Sequence, residues 1–259
     1  MRDFLQLTVV LALLIAVFGS LERLWGLKQQ KLFRKAFGTD LIYYFLSGIL
    51  PRLILVLPLS FLARGAHHFF AGTFYQWTAA LPLAARVILA AVVGDIGSYW
   101  GHRWSHEIPW LWRFHSVHHS AEEMDWLINT RAHPVDLIFT RLCGYVPMYI
   151  LGLAQPLAGV QLDVAPLIVV VLGTFWGYFI HANLRWRFGW FEYLVSTPHF
   201  HHWHHNSAQE SINKNYSAML PCVDAMFGTL HLPPQTWPQQ YGTVDPVPET
   251  LAEQLLVLK

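Results

Sequence analysis

The chain has 259 residues, of which 54% are hydrophobic and only 13% are charged. Soluble domains carry about 25% charged residues, so this deficit indicates a membrane protein, and the net charge of +1 argues against a nucleic-acid partner. Its two cysteines, Cys143 and Cys222, lie far apart and form no CxxC pair, so neither a thiolate metal site nor a disulfide framework is indicated.

Four or five apolar stretches come close to the roughly 20 residues that cross a bilayer. The first, residues 4–25, could also be a signal peptide, but it lacks a clear small-x-small cleavage site and more apolar stretches follow, so we predict a retained span. The second, residues 41–62, carries Pro51-Arg52 at its centre and is expected to be kinked, re-entrant or packed against protein. The others cover residues 81–100, 136–154 and 164–180.

Positive charges predict the orientation of these spans, because Lys and Arg are enriched in cytoplasmic connections. The connection at 22–40 holds five of them, whereas the one at 63–80 holds only Arg64. The first connection is therefore predicted to be cytoplasmic, and tracing the chain onward brings residues 101–134 and 181–259 to the same side. A multi-pass protein is expected, with 13 of its 15 histidines on the cytoplasmic face.

Three histidine-rich motifs lie in this part of the chain: "HRWSH" at 102–106, "HSVHH" at 115–119 and "HFHHWHH" at 199–205. Successive side chains of a helix rotate by about 100°, so HxxxH and HxxHH each gather histidines on one face. The eight that converge are His102, His106, His115, His118, His119, His201, His204 and His205. Thr197-Pro198 is predicted to cap the third helix, and His199 and His202 point away from its histidine face.

Repetition of one spacing at three places favours a defined metal site over an unselective histidine tract. Zinc takes four ligands, so eight imidazoles imply two metals. Iron, zinc, copper and nickel all suit imidazole, so the ligands alone do not choose the metal.

Three more residues could serve this site. His181, at the end of the last apolar stretch, could be a ligand or an interfacial polar residue. His133, kept out of a regular helix by the proline after it, could be a ligand or a loop residue. Asp95 is a carboxylate inside a span, seven residues before His102, and we expect it to orient a ligand imidazole rather than only to join two helices.

Several motifs together resemble the fatty acid hydroxylase superfamily of membrane di-iron enzymes. They are "GDIGSYWGHRWSHEIPWLWRFHSVHHSAEEMD", "RAHP", "HANLRWRFGWFEYLVSTPHFHHWHH" and "NKNYSAMLPCVDAMFGTL", and they cover residues 94–230 or so. The resemblance implies that the eight box histidines and His181 are iron ligands. For His133 it leaves three roles open: a metal ligand, a structural residue, or a residue that supports the ligands. For Asn215, Tyr216 and Asp224 it implies support of the site.

The resemblance implies an all-α membrane bundle of about four to five segments, with a cytoplasmic histidine-rich helical cap that holds two metals. We expect membrane-anchor helices at 1–93, a catalytic domain at 94–231 and a C-terminal tail at 232–259. The implied activity uses two iron ions and dioxygen to hydroxylate or desaturate a sterol-like or fatty-acyl lipid. The sequence has no GxGxxG, flavin signature or iron–sulfur cysteine set, so a separate electron-transfer protein and reductase are expected.

Two stretches that mix tryptophan with arginine, at 110–115 and 185–191, suit helices at the headgroup level and fit a lipid substrate. A membrane zinc hydrolase is an alternative, but no box contains a carboxylate. A metal transporter or store is another, although a transporter places its ligands near the midplane and these lie at the cytoplasmic ends of spans. The lipid class, the choice between hydroxylation and desaturation, and the oligomeric state stay open.

Overall fold

The computed structural model describes residues 2–31, 33–69, 72–154, 164–234 and 236–256. Within these ranges every element beyond two isolated bridges is helical, which confirms the all-α prediction. The helices of the first half are α1 (Arg2–Leu14), which continues through a π-helical turn (Ile15–Gly19) into α2 (Ser20–Trp25), then α3 (Phe37–Phe69), α4 (Gly72–Ala80) and α5 (Leu83–Glu107).

The second half is built from shorter helices. They are α6 (Pro109–His119), α7 (Pro134–Ile150), α8 (Ala165–His181), α9 (Pro198–His204), α10 (Pro221–Phe227) and α11 (Leu251–Leu256). Short 3₁₀ turns cover Trp126–Thr130, Gly189–Tyr193 and Gln209–Ser211.

Three of the described helices are long and apolar enough to cross a membrane: Arg2–Trp25, Phe37–Ala66 and Leu83–Glu107. Helices α7 and α8 have 17 residues each, at the lower end of the lengths that cross a membrane. Among the described residues three helices qualify by length, and the total of four to five segments stays a prediction. The predicted turn between α7 and α8 falls on residues 155–163, outside the described residues.

Helix α3 continues through Pro51, so this stretch is not re-entrant, and Pro51 is buried, which agrees with the predicted alternative of packing against protein. Proline removes one backbone hydrogen bond from a helix, but the helix continues on both sides of it. The neighbouring Arg52 lies 3.5 Å from the carboxylate of Asp3. This charge is therefore level with the start of α1.

Helices α5 and α7 approach each other closely because small residues line their contact. A Cβ atom on Gly97 would lie 2.3 Å from the carbonyl oxygen of Cys143, and one on Gly144 would lie 2.6 Å from Ser98 Oγ. This contact brings the beginning of α7 beside the end of α5, where the first histidine motif lies.

The N-terminal helices also support the histidine motifs. Phe18 and Tyr44 share a buried cluster with Trp126 and Leu184. The Glu22 carboxylate accepts hydrogen bonds from the amides of Trp126 and Asn183, both at 2.9 Å. These residues therefore form part of the scaffold around the motifs.

A C-terminal segment, residues 236–241, lies across the third histidine motif, and we call it the clasp. Asn206 forms an isolated bridge with Tyr241, and the Ser207 amide donates to the Gln240 carbonyl at 3.3 Å. From the other end of the chain, Lys28 donates to the Gln239 carbonyl at 3.0 Å. The clasp thus joins the connection after α2 to the end of α9.

Candidate metal centre

Nine histidines converge in two neighbouring groups. The five-histidine group contains His102, His106, His115, His119 and His204, and the four-histidine group contains His118, His181, His201 and His205. Within each group the candidate ligand nitrogens lie within 4.8 Å of one another. These are the eight box histidines and His181.

Helical geometry explains how two motifs supply both groups. Adjacent residues in a helix differ in direction by about 100°, so His118 and His119 of α6 face different groups. His204 and His205, at the end of α9, divide in the same way. The rings of His119 and His205 stack at a centroid distance of 4.4 Å, so the two groups are in direct contact.

Four of the nine rings donate their Nδ1–H to a backbone carbonyl, which fixes the tautomer because a carbonyl only accepts. These pairs are His102 with Tyr216 at 2.7 Å, His118 with Arg131 at 2.9 Å, His181 with Gly177 at 2.7 Å, and His204 with Lys214 at 2.8 Å. In each ring the Nε2 lone pair is left free to bind a metal.

His115 has a charged partner instead. Its Nδ1 lies 3.0 Å from the Asp136 carboxylate, whose other oxygen accepts from Ser105 Oγ at 3.1 Å. Both His115 and Asp136 are buried. A carboxylate behind a ligand imidazole fixes the ring and raises its basicity, as it does in known metal sites.

The contacts between rings fit a bound cation. His118 Nε2 lies 3.2 Å from His181 Nε2, although both atoms carry lone pairs and neither can donate to the other. A cation between two such nitrogens removes their repulsion.

In the five-histidine group, all five Nε2 atoms are buried and have no hydrogen-bond partner among the described residues. Buried polar atoms normally have a partner. The donor set therefore fits two metal ions, one at each group.

Burial, and then the charge of neighbouring imidazoles, hold the pKa values of His118, His119, His201, His204 and His205 well below the usual value of 6.5. These rings are therefore neutral at neutral pH, which is the form that binds metal.

His199 and His202 face away from both groups, as predicted, but they are fully buried. His199 contacts Glu192 through Nδ1 at 3.1 Å and the Thr236 carbonyl through Nε2 at 2.8 Å. His202 accepts from the Tyr241 hydroxyl at 2.8 Å and contacts the Ala182 carbonyl at 3.1 Å. These two histidines therefore hold the clasp. The Thr197 side chain accepts from the Phe200 amide, which confirms the predicted cap of α9.

Asp95 does not bind a ligand imidazole, contrary to the expectation. It lies seven residues from His102, about 11 Å along the helix, which is too far for a direct contact. Its carboxylate accepts instead from the amides of Ala218, Met219 and Leu220 at 2.8–3.1 Å. The same segment carries the Tyr216 carbonyl that anchors His102, so Asp95 supports that ring through the backbone.

His133 lies outside both groups and uses both ring nitrogens elsewhere. Its Nδ1 accepts from the Val135 amide at 3.1 Å, capping α7, and its Nε2 contacts the Leu255 carbonyl at 3.1 Å. Its position therefore fits a structural role.

Asn215 and Asp224 brace the closing segment. Asn215 donates to the carbonyls of Phe200 and His231 at 2.9 and 2.7 Å. Asp224 accepts from the amides of Tyr216 and Ser217 at 2.7 and 2.9 Å. Their position agrees with the supporting role that the resemblance implied.

Sequence reasoning missed the charged residues behind the rings. Arg131, whose carbonyl anchors His118, pairs through its guanidinium with the fully buried Asp40 at 2.5 Å, and Arg34 pairs with the other Asp40 oxygen at 2.5 Å. Asp136 was missed in the same way. A charged residue within or beside an apolar stretch indicates a buried charge that needs a partner, but the sequence does not show which residue that partner is.

A cleft of about 260 Å³ opens onto the five-histidine group. Three of its lining residues are ligand candidates, and the full lining is His106, Trp112, His119, His204, Asn206, Ser207, Ile212, Asn213 and residues 242–245. A second cavity, of about 460 Å³, lies between Lys28 and the clasp. None of the nine histidines lines that cavity, whereas three of them line the smaller cleft.

Comparison with known proteins gives consistent matches. The family model described as fatty acid hydroxylase matches residues 87–229. Ornithine lipid hydroxylase of Rhizobium tropici is 34% identical over 180 residues, covering 69% of this chain and 52% of that protein. Alkylglycerol monooxygenase of Danio rerio is 31% identical over 159 residues, covering 61% and 33%. Methylsterol monooxygenase 2-2 of Arabidopsis thaliana is 29% identical over 198 residues, covering 74% and 67%.

No solved structure matches the chain. The chain aligns with about half the length of the ornithine lipid hydroxylase and a third of the alkylglycerol monooxygenase.

Proposed function

The chain belongs to the fatty acid hydroxylase family, and from this membership and its nine-histidine centre we propose that it is a membrane-bound non-haem di-iron monooxygenase acting on a membrane lipid. The observation that carries the proposal is the pair of histidine groups. In one group five buried Nε2 atoms have no partner among the described residues, and in the other the Nε2 atoms of His118 and His181 face each other at 3.2 Å. Histidine is the sole side-chain type in either group, which counts against a zinc hydrolase.

In this proposal each histidine group holds one iron, and the irons supply the activation of dioxygen and the oxidation of an unactivated C–H bond. The protein keeps the imidazoles neutral by burial and aims them through the Nδ1 anchors. Asp136 holds His115 in one orientation. Burial of the groups also keeps bulk water from the reacting carbon.

The names of the three relatives described above favour hydroxylation over desaturation, since these three are a hydroxylase and two monooxygenases. In that reaction one oxygen atom enters the C–H bond, and the other leaves as water after two electrons and two protons are added. The electrons are proposed to come from a separate electron-transfer protein and its reductase. The lipid presents its carbon through the cleft beside Trp112, on the side of the membrane predicted to be cytoplasmic.

The test is oxygen-isotope incorporation with metal analysis. The protein is purified in detergent, loaded anaerobically with ferrous iron and supplied with ¹⁸O₂, a ferredoxin with its reductase, and a membrane lipid extract. We expect about two irons per chain and a lipid product heavier by one ¹⁸O atom. One zinc per group with no oxygen uptake overturns the proposal.

Two variants make the result specific. His204→Ala removes a nitrogen from the five-histidine group and is expected to abolish the labelled product. His68→Ala changes an exposed histidine outside both groups and is expected to keep it.

A further inference from the structure

The turn Gly189–Tyr193 with Leu194, and helix α10, form an apolar surface that the metal centre does not use. We call residues 189–194 and 221–227 the wedge. Its two acidic residues, Glu192 and Asp224, are buried, whereas Trp190 and Met226 are 74% and 75% exposed. Each exposed residue of the wedge is uncharged.

The wedge is fixed at the level of a membrane-spanning helix. Asp95 is the middle residue of the 25-residue helix α5, about 18 Å from either end. It binds the amides of Ala218, Met219 and Leu220, directly before α10. Ser196, two residues after Leu194, donates its amide to the Met219 carbonyl at 2.9 Å. Both parts of the wedge are therefore attached near mid-height of α5.

Backbone outside a helix is tolerated at membrane depth only where protein satisfies its polar groups. The Asp95 carboxylate does this for three successive amides. A buried carboxylate at such a depth is costly, and holding a non-helical segment beside the span accounts for its presence.

The apolar surface of the wedge continues the outward face of α5. The Phe227 ring packs against Trp100 at a centroid distance of 5.0 Å. Ile96 and Trp104, one turn before and after Trp100, are exposed on the same side. The exposed Arg185 lies four residues before the turn in sequence, and an exposed arginine suits a lipid phosphate.

We propose that the wedge is inserted in the bilayer leaflet on the histidine side and contacts lipid acyl chains. The metal centre is then held at the membrane surface, with its substrate's chains beside it. This inference rests on α5 crossing the membrane and does not depend on the identity of the metal or on the reaction.

The native Cys222 gives a direct test, because it is exposed on α10 whereas Cys143 is half-buried. In the Cys143→Ala background, a nitroxide is attached to Cys222 and the protein is placed in phosphatidylcholine vesicles. Collision rates are measured with oxygen, which partitions into lipid, and with a neutral nickel chelate, which stays in water. Met226→Cys with Cys222→Ser supplies a second reporter one helical turn away.

Two sites calibrate the measurement. Ile88→Cys, on the outward face of α5, reports lipid, and Glu210→Cys, in the exposed turn Gln209–Ser211, reports water. We expect both wedge reporters to match Ile88→Cys, with oxygen collisions dominating.

The inference is overturned if the wedge reporters show the same collision rates as Glu210→Cys. Slow collisions with both reagents also overturn it, since they indicate a protein cover such as a second copy of the chain. The unlabelled protein's thermal melt checks that each variant folds. The collision rates need no turnover, so an inactive protein with lipid-exposed labels would reject the monooxygenase proposal and keep the wedge.

Discussion

His118 and His181 bring their Nε2 atoms to 3.2 Å although each ring already donates its Nδ1–H to a backbone carbonyl. Two lone pairs therefore face each other inside the protein. The repulsion between these lone pairs destabilises the folded chain, and a cation that binds both nitrogens removes the repulsion and stabilises the fold.

Metal removal is therefore expected to lower stability. A ligand at a hundred times its Kd stabilises the folded state by about 2.7 kcal/mol. Chelation should lower the melting temperature of the native chain in detergent, and readdition of ferrous iron should restore it. His118→Ala removes one of the facing lone pairs. In this variant the melting temperatures with and without metal should differ by less than in the native chain. An equal difference in both proteins would argue against a metal between these rings.

His201 and His202 are neighbours in α9 but are expected to respond differently to alanine. His201 belongs to the four-histidine group, whereas His202 contacts Tyr241 of the clasp. His201→Ala should lose about one metal per chain, measured by elemental analysis. His202→Ala should keep both metals and lower the melting temperature. Loss of metal from His202→Ala alone would reverse the assignment of the two faces.

Asp136→Asn should weaken metal binding without removing a ligand. The substitution keeps the shape but takes away the charge behind His115. Loss of such a partner typically lowers metal affinity by about 10- to 100-fold, which a competition titration with a chelator measures. Asp3→Asn, at an exposed carboxylate paired with Arg52, is the matched control and should leave the affinity unchanged.

Asp40→Ala should destabilise the fold strongly. It leaves the Arg34 and Arg131 guanidinium groups buried without their shared carboxylate, and breaking a buried ion pair costs about 3–5 kcal/mol. Lys35→Ala removes an ion pair whose side chains are 84% and 78% exposed and should cost less than about 1 kcal/mol. Thermal unfolding in detergent compares them, and similar losses would contradict the role given to Asp40.

Acid should destabilise the metal-free protein. In the unfolded chain histidine titrates near pH 6.5, while in the fold burial holds the pKa of His118, His119, His201, His204 and His205 well below that. Below about pH 6.5 the unfolded state therefore binds more protons, and stability falls by up to about 1.4 kcal/mol per pH unit for each histidine. Melting curves at pH 7.5, 6.5 and 5.5 should show a small loss between the first two and a larger loss between the last two. A flat profile would mean that these rings have the same pKa in the fold as in the unfolded chain.

The histidine motifs could be found from the sequence because their spacing is local. HxxxH and HxxHH fix which side chains share a helical face, and the structure brings all nine of the named histidines together. The orientation of His199 and His202 followed from the same geometry. The Thr197 cap was predictable because it too depends on residues within one turn.

The partners of the rings could not be found in this way, because they come from distant parts of the chain. Asp40 and Arg131 are 91 residues apart, and no spacing rule links them. Asp95 shows the same limit: its helical face suggested a contact with His102, whereas its partners lie more than 120 residues away. Residues seven apart point in the same direction from a helix. They are also about 11 Å apart along its axis, which is too far for Asp95 to contact His102.

The clasp has a consequence for the order in which the chain is made. Tyr241 is synthesised 36 residues after His205, which takes about 2–7 s at typical elongation rates of 5–20 residues per second. During that interval every histidine of the centre has been made, but His199 and His202 still lack Thr236 and Tyr241 as partners. The clasp therefore closes over the side of α9 that faces away from the metal groups after every ligand has been made, and the cleft at His204 leaves the ligand side open in the finished fold.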